Sequence, residues 1–329
     1  MTFSPAQCIV QKQYFRFPAL AFANNSDEQK KRKHILQKFT FPHAHSDLGS
    51  TLDRLCIEEC QHLIQFLNKE IEKSAKGHLV DLKPLVAKAC ANIFNRYFCS
   101  VQRCEYDDEA FGDYCNSFDE VFWEVNNGRA VDFLPWLMPF FKYSEPMNKM
   151  RVASKTVRNY VEENIIEPKR QMKNSNMQGK WPNYERSTEY VSNTDKFFIG
   201  TDKDFLDSIM VYIDSNEDSA PAFSSQSALY ALEDILGGSC AVANIILRIL
   251  FDMTLEPNAS IQGQIKDQID GHKSPNDALI SIEDKQQLPL VVAAMHETIR
   301  MTCSPIVPHQ ATQDSEIGGR GPISIITHY

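Results

Sequence analysis

Residues 231–253 read ALEDILGGSCAVANIILRILFDM, and this stretch decides the fold. Between Asp234 and Arg248 it carries no charge, so as a helix it is apolar on nearly every face and must be surrounded by protein. We interpret it as too short for a membrane span, which needs about 20 apolar residues, and Pro257 ends it. The stretch therefore predicts a buried central helix.

Two adjacent glycines, Gly237 and Gly238, lie in the middle of this helix. Each costs roughly 1 kcal/mol relative to alanine in a helix interior, so their presence needs a reason. Two explanations are open. Either a neighbouring helix packs closely against the bare backbone, or a flat, large cofactor or substrate lies there.

The bulk composition narrows the classes of function. The 329 residues include 34 basic and 43 acidic ones, for a net charge of −9, which disfavours nucleic-acid binding because no basic surplus can neutralise phosphates. None of the nine cysteines forms a Cys-x-x-Cys pair, so we expect reduced, buried thiols rather than a disulfide framework or a zinc site. The N-terminus shows no secretory or membrane-spanning pattern, and residues 319–329 resemble a strand cut short, which suggests an incomplete chain.

The periodicity of apolar residues predicts helices over most of the chain up to residue 302 and strands only after residue 311. The predicted helices cover 26–38 (capped by Ser26), 51–73, 82–101, 149–172, 203–214, 259–270 and 289–302. Residues 118–141 are rich in aromatic side chains and contain a helix to about Trp123 and a turn at 126–128. This segment is either a lid on the core or an apolar roof that touches substrate or membrane.

The sequence HETIR at residues 296–300 places Glu297 and Arg300 one helical turn apart, so the two side chains can pair. They follow the apolar run VVAAMH, which looks buried, and a buried ion pair is costly unless both partners are fully hydrogen-bonded. No nucleophile triad, phosphate-binding glycine loop or His-Glu-x-x-His motif is present.

The order of these features resembles that of the cytochrome P450 family of haem-thiolate monooxygenases. HETIR resembles the Glu-x-x-Arg of the family's K helix, EDILGGSCAVAN at 233–244 resembles its I helix, and QKKRKHIL at 29–36 resembles the basic helix that meets the haem propionates. More narrowly, DILGG-x-x-AV and ETIR…SPIVPHQATQDS resemble the insect ecdysteroid-pathway group known as Spook. Together these motifs span about residues 20–325.

This resemblance implies a mainly α (α+β) cytochrome P450 fold that is truncated at both ends. Residues 1–329 would form a single partial domain, with the I-like helix at about 225–256 and the K-like helix at about 289–302. The family's N-terminal membrane anchor and its haem-cysteine loop, Phe-x-x-Gly-x-Arg-x-Cys-x-Gly, do not occur in the sequence. We therefore interpret the chain as an internal fragment of a microsomal enzyme.

The resemblance also implies roles for individual residues toward haem b and its iron. On the I-like helix, Gly237, Gly238 and Ser239 would let substrate and dioxygen approach, while Cys240 and Ala241 replace the family's acid–alcohol pair. Glu297 and Arg300 would form a structural ion pair, and the haem propionates would be bound by Arg32, Lys33 and His309. No residue of the chain is assigned to the metal, because the axial cysteine is absent.

The function implied is oxidation of a sterol-like ecdysteroid precursor with dioxygen. The electrons would come from NADPH through a separate cytochrome P450 reductase or a ferredoxin-type donor, and the full-length protein would associate with the cytosolic face of the endoplasmic reticulum membrane. The present chain alone would be inactive without its axial cysteine. Two alternatives remain open: a rearrangement that needs no external electrons, and a non-catalytic helical fragment or binding module.

Overall fold

The computed structural model describes residues 26–43, 46–73, 79–126, 135–141, 143–174, 204–213, 225–272, 280–302, 315–317 and 320–323. The α-helices in these ranges are α1 (Asp27–Thr40), α2 (Asp47–Lys73), α3 (Leu82–Cys99), α4 (Glu109–Asn126), α5 (Met138–Phe141), α6 (Glu145–Val161), α7 (Glu167–Asn174), α8 (Phe205–Ile213), α9 (Ser225–Thr254), α10 (Ala259–His272) and α11 (Pro289–Thr302). Short 3-10 helices cover Pro135–Leu137, Glu256–Asn258 and Ile282–Gln287, and the strands are β1 (Ser315–Ile317) and β2 (Arg320–Ile323).

The two strands form an antiparallel hairpin in which Ser315 pairs with Ile323 and Ile317 pairs with Arg320. The described part of the chain is therefore mainly helical with a small sheet near its end, as the periodicity predicts. The predicted helix starts are confirmed in detail at α1, where the Ser26 hydroxyl accepts a hydrogen bond from the Gln29 backbone N–H at 3.1 Å.

One hydrophobic core joins α9 to helices α1, α2, α3, α4, α6 and α8. The tightest helix pairs are α4 with α6 and α3 with α9. Aromatic rings fill the space between α4 and α6, where the ring centroids of Tyr114 and Tyr160 are 4.2 Å apart. The packing of these helices fixes the position of α9 at the centre of the described residues.

Buried ion pairs and hydrogen bonds add specific links between helices. Glu59 of α2 is fully buried and accepts hydrogen bonds from Asn92 (3.0 Å), Arg103 (3.0 Å) and Tyr106 (2.6 Å). A buried carboxylate is tolerated only with such a set of donors, so Glu59 holds α2 against α3 and the segment that follows it.

The long polar helix predicted at 149–172 is divided in the structure by a π-helical segment, Glu162–Ile166. Val161 and Ile166 are five residues apart, and both are fully buried. In an α-helix this separation would turn one of them away from the core, whereas the wider π turn keeps both on the same face. Burial of apolar side chains therefore overrides regular α-helical geometry here.

The central helix α9 differs from its prediction in two ways. It has 30 residues and, among the described helices, is the one long and apolar enough to cross a membrane, so the interpretation as too short for a span is wrong. Its first half nevertheless lies in the protein core, since most of its residues are buried. Within this half, the carboxylate of Glu233 is paired with Arg158 of α6. Its last third is partly exposed, with Phe251 55% exposed, so the prediction of protein on every face is also wrong.

The position of α3 explains why α9 is covered unevenly. Val86 and Cys90, both in the first half of α3, pack with Ala243 and Leu247 of α9. The N-terminal end of α3 thus lies beside Leu247, and α9 continues beyond it. The side chains of α9 that follow Leu247 therefore no longer lie beside α3.

The aromatic segment is buried at its start, where Phe118 is 7% exposed and belongs to the core, and exposed at its end. Helix α4 continues to Asn126, past the predicted end at Trp123, and residues 127–128 of the predicted turn lie outside the described residues. Beyond them, Trp136 is 67% and Phe140 is 76% exposed. A lid on the core would bury these rings, so that interpretation is wrong for residues 135–141.

Candidate functional site

The middle of α9 carries a stripe of small or apolar side chains that the other described residues cover incompletely. Gly238, Ala241 and Ile245 follow each other at helical spacing and are half-buried, and the neighbouring Val242 is 41% exposed. We call these four residues the α9 stripe. Its lack of charge and its small or apolar side chains suit a flat apolar group.

Gly238 of this stripe and the adjacent Gly237 permit close helix packing. A Cβ atom on Gly237 would lie 2.9 Å from Cε1 of Phe118 and 3.2 Å from Cε2 of Phe122, both on α4, and one on Gly238 would lie 3.2 Å from Cε1 of Phe94 on α3. The first explanation of the glycine pair, close packing of another helix, is therefore confirmed. The role of the glycines toward a cofactor or substrate stays a prediction.

Ser239, the third predicted residue of this group, is buried and engaged within its own helix. Its hydroxyl donates a hydrogen bond to the Leu236 carbonyl oxygen at 2.7 Å, and the side chain is 3% exposed. This local bond satisfies the hydroxyl group.

Cys240 belongs to a polar group at the junction of α3, α4 and α9, which we call the Asp119 cluster (Lys83, Asp119, Cys240 and Asn244). The Cys240 thiol donates to Oδ1 of Asp119 at 3.6 Å, and the Asn244 amide donates to the same oxygen at 3.4 Å. Lys83 Nζ donates to the other oxygen, Oδ2, at 2.6 Å. Asp119 of α4 therefore accepts hydrogen bonds from two other helices, α3 and α9.

The charges of the Asp119 cluster keep its carboxylate ionised and its thiol protonated. Burial acts to raise the pKa of Asp119, but the hydrogen bond and charge of Lys83 and the bonds from Asn244 and Cys240 lower it below its usual value. Burial, reinforced by the Asp119 charge and hydrogen bond, raises the pKa of the Cys240 thiol to about 12. At neutral pH Cys240 is thus a fixed hydrogen-bond donor and not a nucleophile.

A pocket of about 210 Å³ connects this cluster to the surface. The residues that line it include Lys83, Asn116, Asp119, Ser239, Cys240 and Asn244. Lys83 at its outer side is 61% exposed along its side chain, whereas Cys240 at its inner side is 8% exposed. The pocket therefore leads from solvent to the middle of α9.

The predicted propionate ligands lie on α1, next to the first third of α9. Arg32 is half-buried and Lys33 is exposed, and Ile35 packs against Ala228 and Ala231 of α9. Gly238 lies seven residues beyond Ala231, which is roughly 10 Å along a helix. His309 lies outside the described residues, so its predicted role stays a prediction.

The predicted ion pair of α11 forms, but it is on the surface. The Arg300 guanidinium donates to both carboxylate oxygens of Glu297 at 2.6 and 2.7 Å, and this hydrogen bonding lowers the pKa of Glu297. The side chains of Arg300 and Glu297 are 67% and 59% exposed, so the expectation of burial is wrong. The buried side of α11 is instead marked by Thr298, 4% exposed.

Sequence reasoning missed Asp119 and Lys83. The signal for Asp119 was its position within an apolar stripe of α4, since Cys115, Phe118 and Phe122 occur at i−4, i−1 and i+3 from it. A carboxylate on such a stripe must find donors on the helix that the stripe contacts. Lys83, from a distant part of the sequence, had no comparable signal.

Residues 5–325 match the cytochrome P450 family. The chain belongs to the cytochrome P450 family. It is 31% identical over 318 residues to Cytochrome P450 307a1 of Drosophila melanogaster and 23% identical over 317 residues to Cytochrome P450 1B1 of Rattus norvegicus. These alignments cover 95% and 92% of this chain but 52% of each relative. The chain thus spans about half the length of the curated relatives it matches.

Solved structures show the same fold. The chain is similar to two structures of a zebrafish cytochrome P450, one with progesterone and one with abiraterone, with TM-scores of 0.65 and 0.62. Both are 16% identical in sequence, and the superpositions cover 96% of this chain and 65% and 63% of those chains. The fold is therefore the mainly helical cytochrome P450 fold, as the resemblance implies.

The described residues fit one side of the haem that this family uses. The α9 stripe offers an uncharged surface to a flat ring system, and α1, which carries basic side chains, packs beside the first third of the same helix. Cys90, Cys115 and Cys240 lie within helices α3, α4 and α9 and are buried, rather than on a loop such as the one that carries the family's haem cysteine. None of the nine cysteines in the sequence lies in the family's haem-binding loop motif.

Proposed function

We propose that the complete protein is a haem-dependent monooxygenase that oxidises a sterol-like ecdysteroid precursor. The observation that carries this proposal is the 31% identity to Cytochrome P450 307a1 across 95% of the chain. It agrees with the Spook-like motifs DILGG-x-x-AV and ETIR…SPIVPHQATQDS. The alignment covers only 52% of that relative's length. The proposal therefore concerns the complete protein and not the present chain alone.

The substrate class is supported by shape and by the structural neighbours. The zebrafish enzyme of the same fold was solved with progesterone and with abiraterone. The α9 stripe consists of small or apolar, uncharged residues, which suits the rigid, apolar rings of a sterol. Its apolar side chains would also exclude water from the space above the cofactor.

The haem would be held between the α9 stripe and basic side chains. Arg32, Lys33 and His309 would bind its propionates through charge-assisted hydrogen bonds. When bound, the haem supplies the iron that activates dioxygen. The thiolate that binds its iron would be supplied by a cysteine loop of the complete protein.

The electrons would come from NADPH through a separate cytochrome P450 reductase or a ferredoxin-type donor. The complete protein would lie on the cytosolic face of the endoplasmic reticulum membrane. Exposed aromatic side chains at Trp136, Phe140 and Tyr143 support membrane contact, since such rings favour the lipid–water interface.

Membrane contact is tested by sedimentation with phospholipid vesicles. Replacing Trp136 and Phe140 together by serine should reduce the bound fraction of the protein. Phe251→Ser is the matched control, because Phe251 is also exposed but lies on α9. Equal losses in the control and the double variant would contradict membrane contact by this segment.

The function is tested by sequencing the transcript through Tyr329 and expressing the complete protein. We expect the thiolate-type absorption band of its carbon monoxide complex and sterol oxidation that depends on NADPH and the reductase. Turnover without reductase would instead support a rearrangement, which the replacement of the acid–alcohol pair by Cys240 and Ala241 favours. Absence of the band and of turnover would support the non-catalytic alternative.

A further inference from the structure

We propose that Asp234 fixes the orientation of the substrate by accepting a hydrogen bond from its ring hydroxyl. This inference rests on the proposed monooxygenase function and assigns a partner to the polar end of the same substrate. A sterol is an alcohol, with a hydroxyl group at one end of a rigid, apolar ring system. A site that binds such a molecule in one orientation needs a polar group at one end of an otherwise apolar surface.

Asp234 lies on the same face of α9 as the α9 stripe. It precedes Gly238 by four residues, Ala241 by seven and Val242 by eight, and residues at these spacings share one side of a helix. Its side chain is half-buried. Asp234 therefore places a carboxylate at the N-terminal end of the uncharged stripe.

The face of α9 that carries the stripe becomes open at Asp234. One turn earlier, Ala231 is 1% exposed and is covered by Ile35 of α1. The neighbouring acid, Glu233, lies toward α6, where it is paired with Arg158. Of these two adjacent acids, Asp234 is thus the one on the side of the stripe.

The distance along α9 suits the length of a sterol. Asp234 is seven residues from Ala241 and eight from Val242, which corresponds to roughly 10–12 Å of helix. A fused four-ring system has a comparable length, so a hydroxyl bound at Asp234 places the opposite end of the substrate beside Ala241. By the family resemblance this is the oxygen side of the helix, so the end remote from the hydroxyl is the one to be oxidised.

An ionised carboxylate is a strong and selective acceptor for a hydroxyl group. Hydrogen bonds to a charged acceptor are about twice as strong as those between neutral groups. A partly buried carboxylate that meets an apolar group loses water and gains no donor in return. Asp234 therefore favours the hydroxyl end of a sterol and disfavours the reversed orientation, in which the apolar end would meet the carboxylate.

A structural role is the competing explanation, because Asp234 also has an interaction within the protein. Loss of a structural contact would weaken the binding of every sterol-like ligand to a similar extent. Loss of a hydroxyl acceptor would weaken only the binding of ligands that carry the hydroxyl. The ratio of two affinities therefore separates the two explanations.

The test measures the dissociation constants of cholesterol and cholest-5-ene, which differ only in the ring hydroxyl, by equilibrium dialysis with the haem-loaded complete protein. We expect Asp234→Ala to lower the preference for cholesterol over cholest-5-ene by about ten- to hundredfold relative to wild type, as for the loss of one hydrogen bond to a charged group. Asp234→Asn, which keeps a neutral acceptor oxygen, should retain part of the preference.

Asp252→Ala is the matched control for these variants. Asp252 lies near the other end of the same helix and pairs with Arg248 at 2.9 Å. This variant should keep the wild-type ratio of affinities. Thermal melting of each variant checks that it folds as wild type does.

A second measurement follows the position of oxidation in the presence of the reductase. We expect wild type to oxidise one position of the sterol, because the substrate is held in one orientation. Asp234→Ala should give a mixture of products, as identified by mass spectrometry and nuclear magnetic resonance, whereas Asp252→Ala should give the wild-type product.

The outcomes separate this inference from the proposed function. If the wild-type complete protein neither binds nor oxidises a sterol, the proposed function fails and the inference falls with it. If wild type binds and oxidises sterols but Asp234→Ala weakens both ligands equally or weakens neither, only the inference is overturned. A reduced preference for cholesterol in a normally folded Asp234→Ala variant supports it.

Discussion

Gly237 is the residue where helix packing is tightest. A Cβ atom there would come within 2.9 Å of the Phe118 ring, and that ring is held against Tyr114 with centroids 5.0 Å apart. We expect Gly237→Ala to destabilise the protein by up to about 2 kcal/mol, because overpacking costs about 1–3 kcal/mol and the gain in helix propensity offsets about 1 kcal/mol of that cost. Urea unfolding of the variant and wild type measures the difference.

Gly263 of α10 provides the matched control, since a Cβ atom there meets no atom within 4 Å. Gly263→Ala should stabilise the protein by about 1 kcal/mol through helix propensity alone. Opposite signs for the two glycines are expected. Stabilisation by both alanines would show that Phe118 moves aside and that packing does not require glycine at 237.

Two Arg–Glu pairs of similar geometry differ in their surroundings. Arg158 donates through two nitrogens to Glu233, whose residue is 8% exposed, and also lies over the Tyr230 ring at 4.6 Å. Arg158→Met should cost about 3–5 kcal/mol, because it leaves a buried carboxylate without its partner. Arg300→Met removes an exposed pair and should cause no measurable change. Chemical denaturation of both variants measures the loss in free energy of unfolding. Equal losses for Arg158→Met and Arg300→Met would contradict the difference in burial between the two pairs.

Glu233 also makes stability depend on pH. Burial raises the pKa of its carboxyl, although Arg158 acts to lower it. The folded chain thus holds this proton more tightly than the unfolded chain does. Its contribution is fully present below the unfolded pKa of about 4.3 and is lost as pH rises through the raised folded pKa. Glu233→Gln should flatten the free energy of unfolding across this interval, as measured by urea titrations at a series of pH values. If the free energy of unfolding varied with pH in the same way for Glu233→Gln and wild type, Glu233 would not be the source of this pH dependence.

At the scale of elements, α2 holds a short helix from the other end of the chain. Asp53 accepts hydrogen bonds from the Ser281 hydroxyl at 2.7 Å and from the Ile282 backbone N–H at 2.9 Å, at the start of the 3-10 helix Ile282–Gln287. Such capping bonds contribute about 1 kcal/mol. Asp53→Ala should therefore speed hydrogen exchange in residues 281–287, as followed by mass spectrometry.

Asp47→Ala is the control for this prediction, because Asp47 is an exposed acid in the first turn of the same helix. It should leave exchange at 281–287 unchanged. If Asp53→Ala also leaves exchange unchanged, the short helix is held by its own capping box at Ser281 and Asp284 rather than by α2.

Helix positions could largely be predicted from the sequence, because most helices are amphipathic and carry their own start or stop signals. The cap at Ser26 and the proline at 289 mark α1 and α11 correctly. The π segment Glu162–Ile166 could not be predicted in this way. It depends on which side chains the neighbouring helices bury, and periodicity along one segment does not contain that information.

At the scale of the whole molecule, α9 and α11 pack together and both present exposed apolar side chains. These include Ile246 (37%), Leu250 (44%) and Ile299 (41%). Grouped exposed apolar surface promotes association. We expect the present chain to self-associate at micromolar concentration and Ile246→Asp to reduce this association, as measured by sedimentation velocity.

Ile64→Asp is the control, since Ile64 is 46% exposed on α2. It should leave the sedimentation profile unchanged. A monomeric wild-type chain over the same concentration range would show that the apolar side chains of α9 and α11 do not drive association.

The sequence by itself determined the family, the mainly helical fold, the central helix and the pairing of Glu297 with Arg300, because these depend on motifs and on spacing within one helix. Only the tertiary structure decided which side chains are buried. In the folded chain the Glu297–Arg300 pair lies on the surface. The Phe118 ring packs against the bare backbone of Gly237. Asp119 bonds to both Lys83 and Cys240, which are far apart in sequence. Burial and contacts between distant segments depend on how helices pack against each other, and local sequence patterns do not specify that packing.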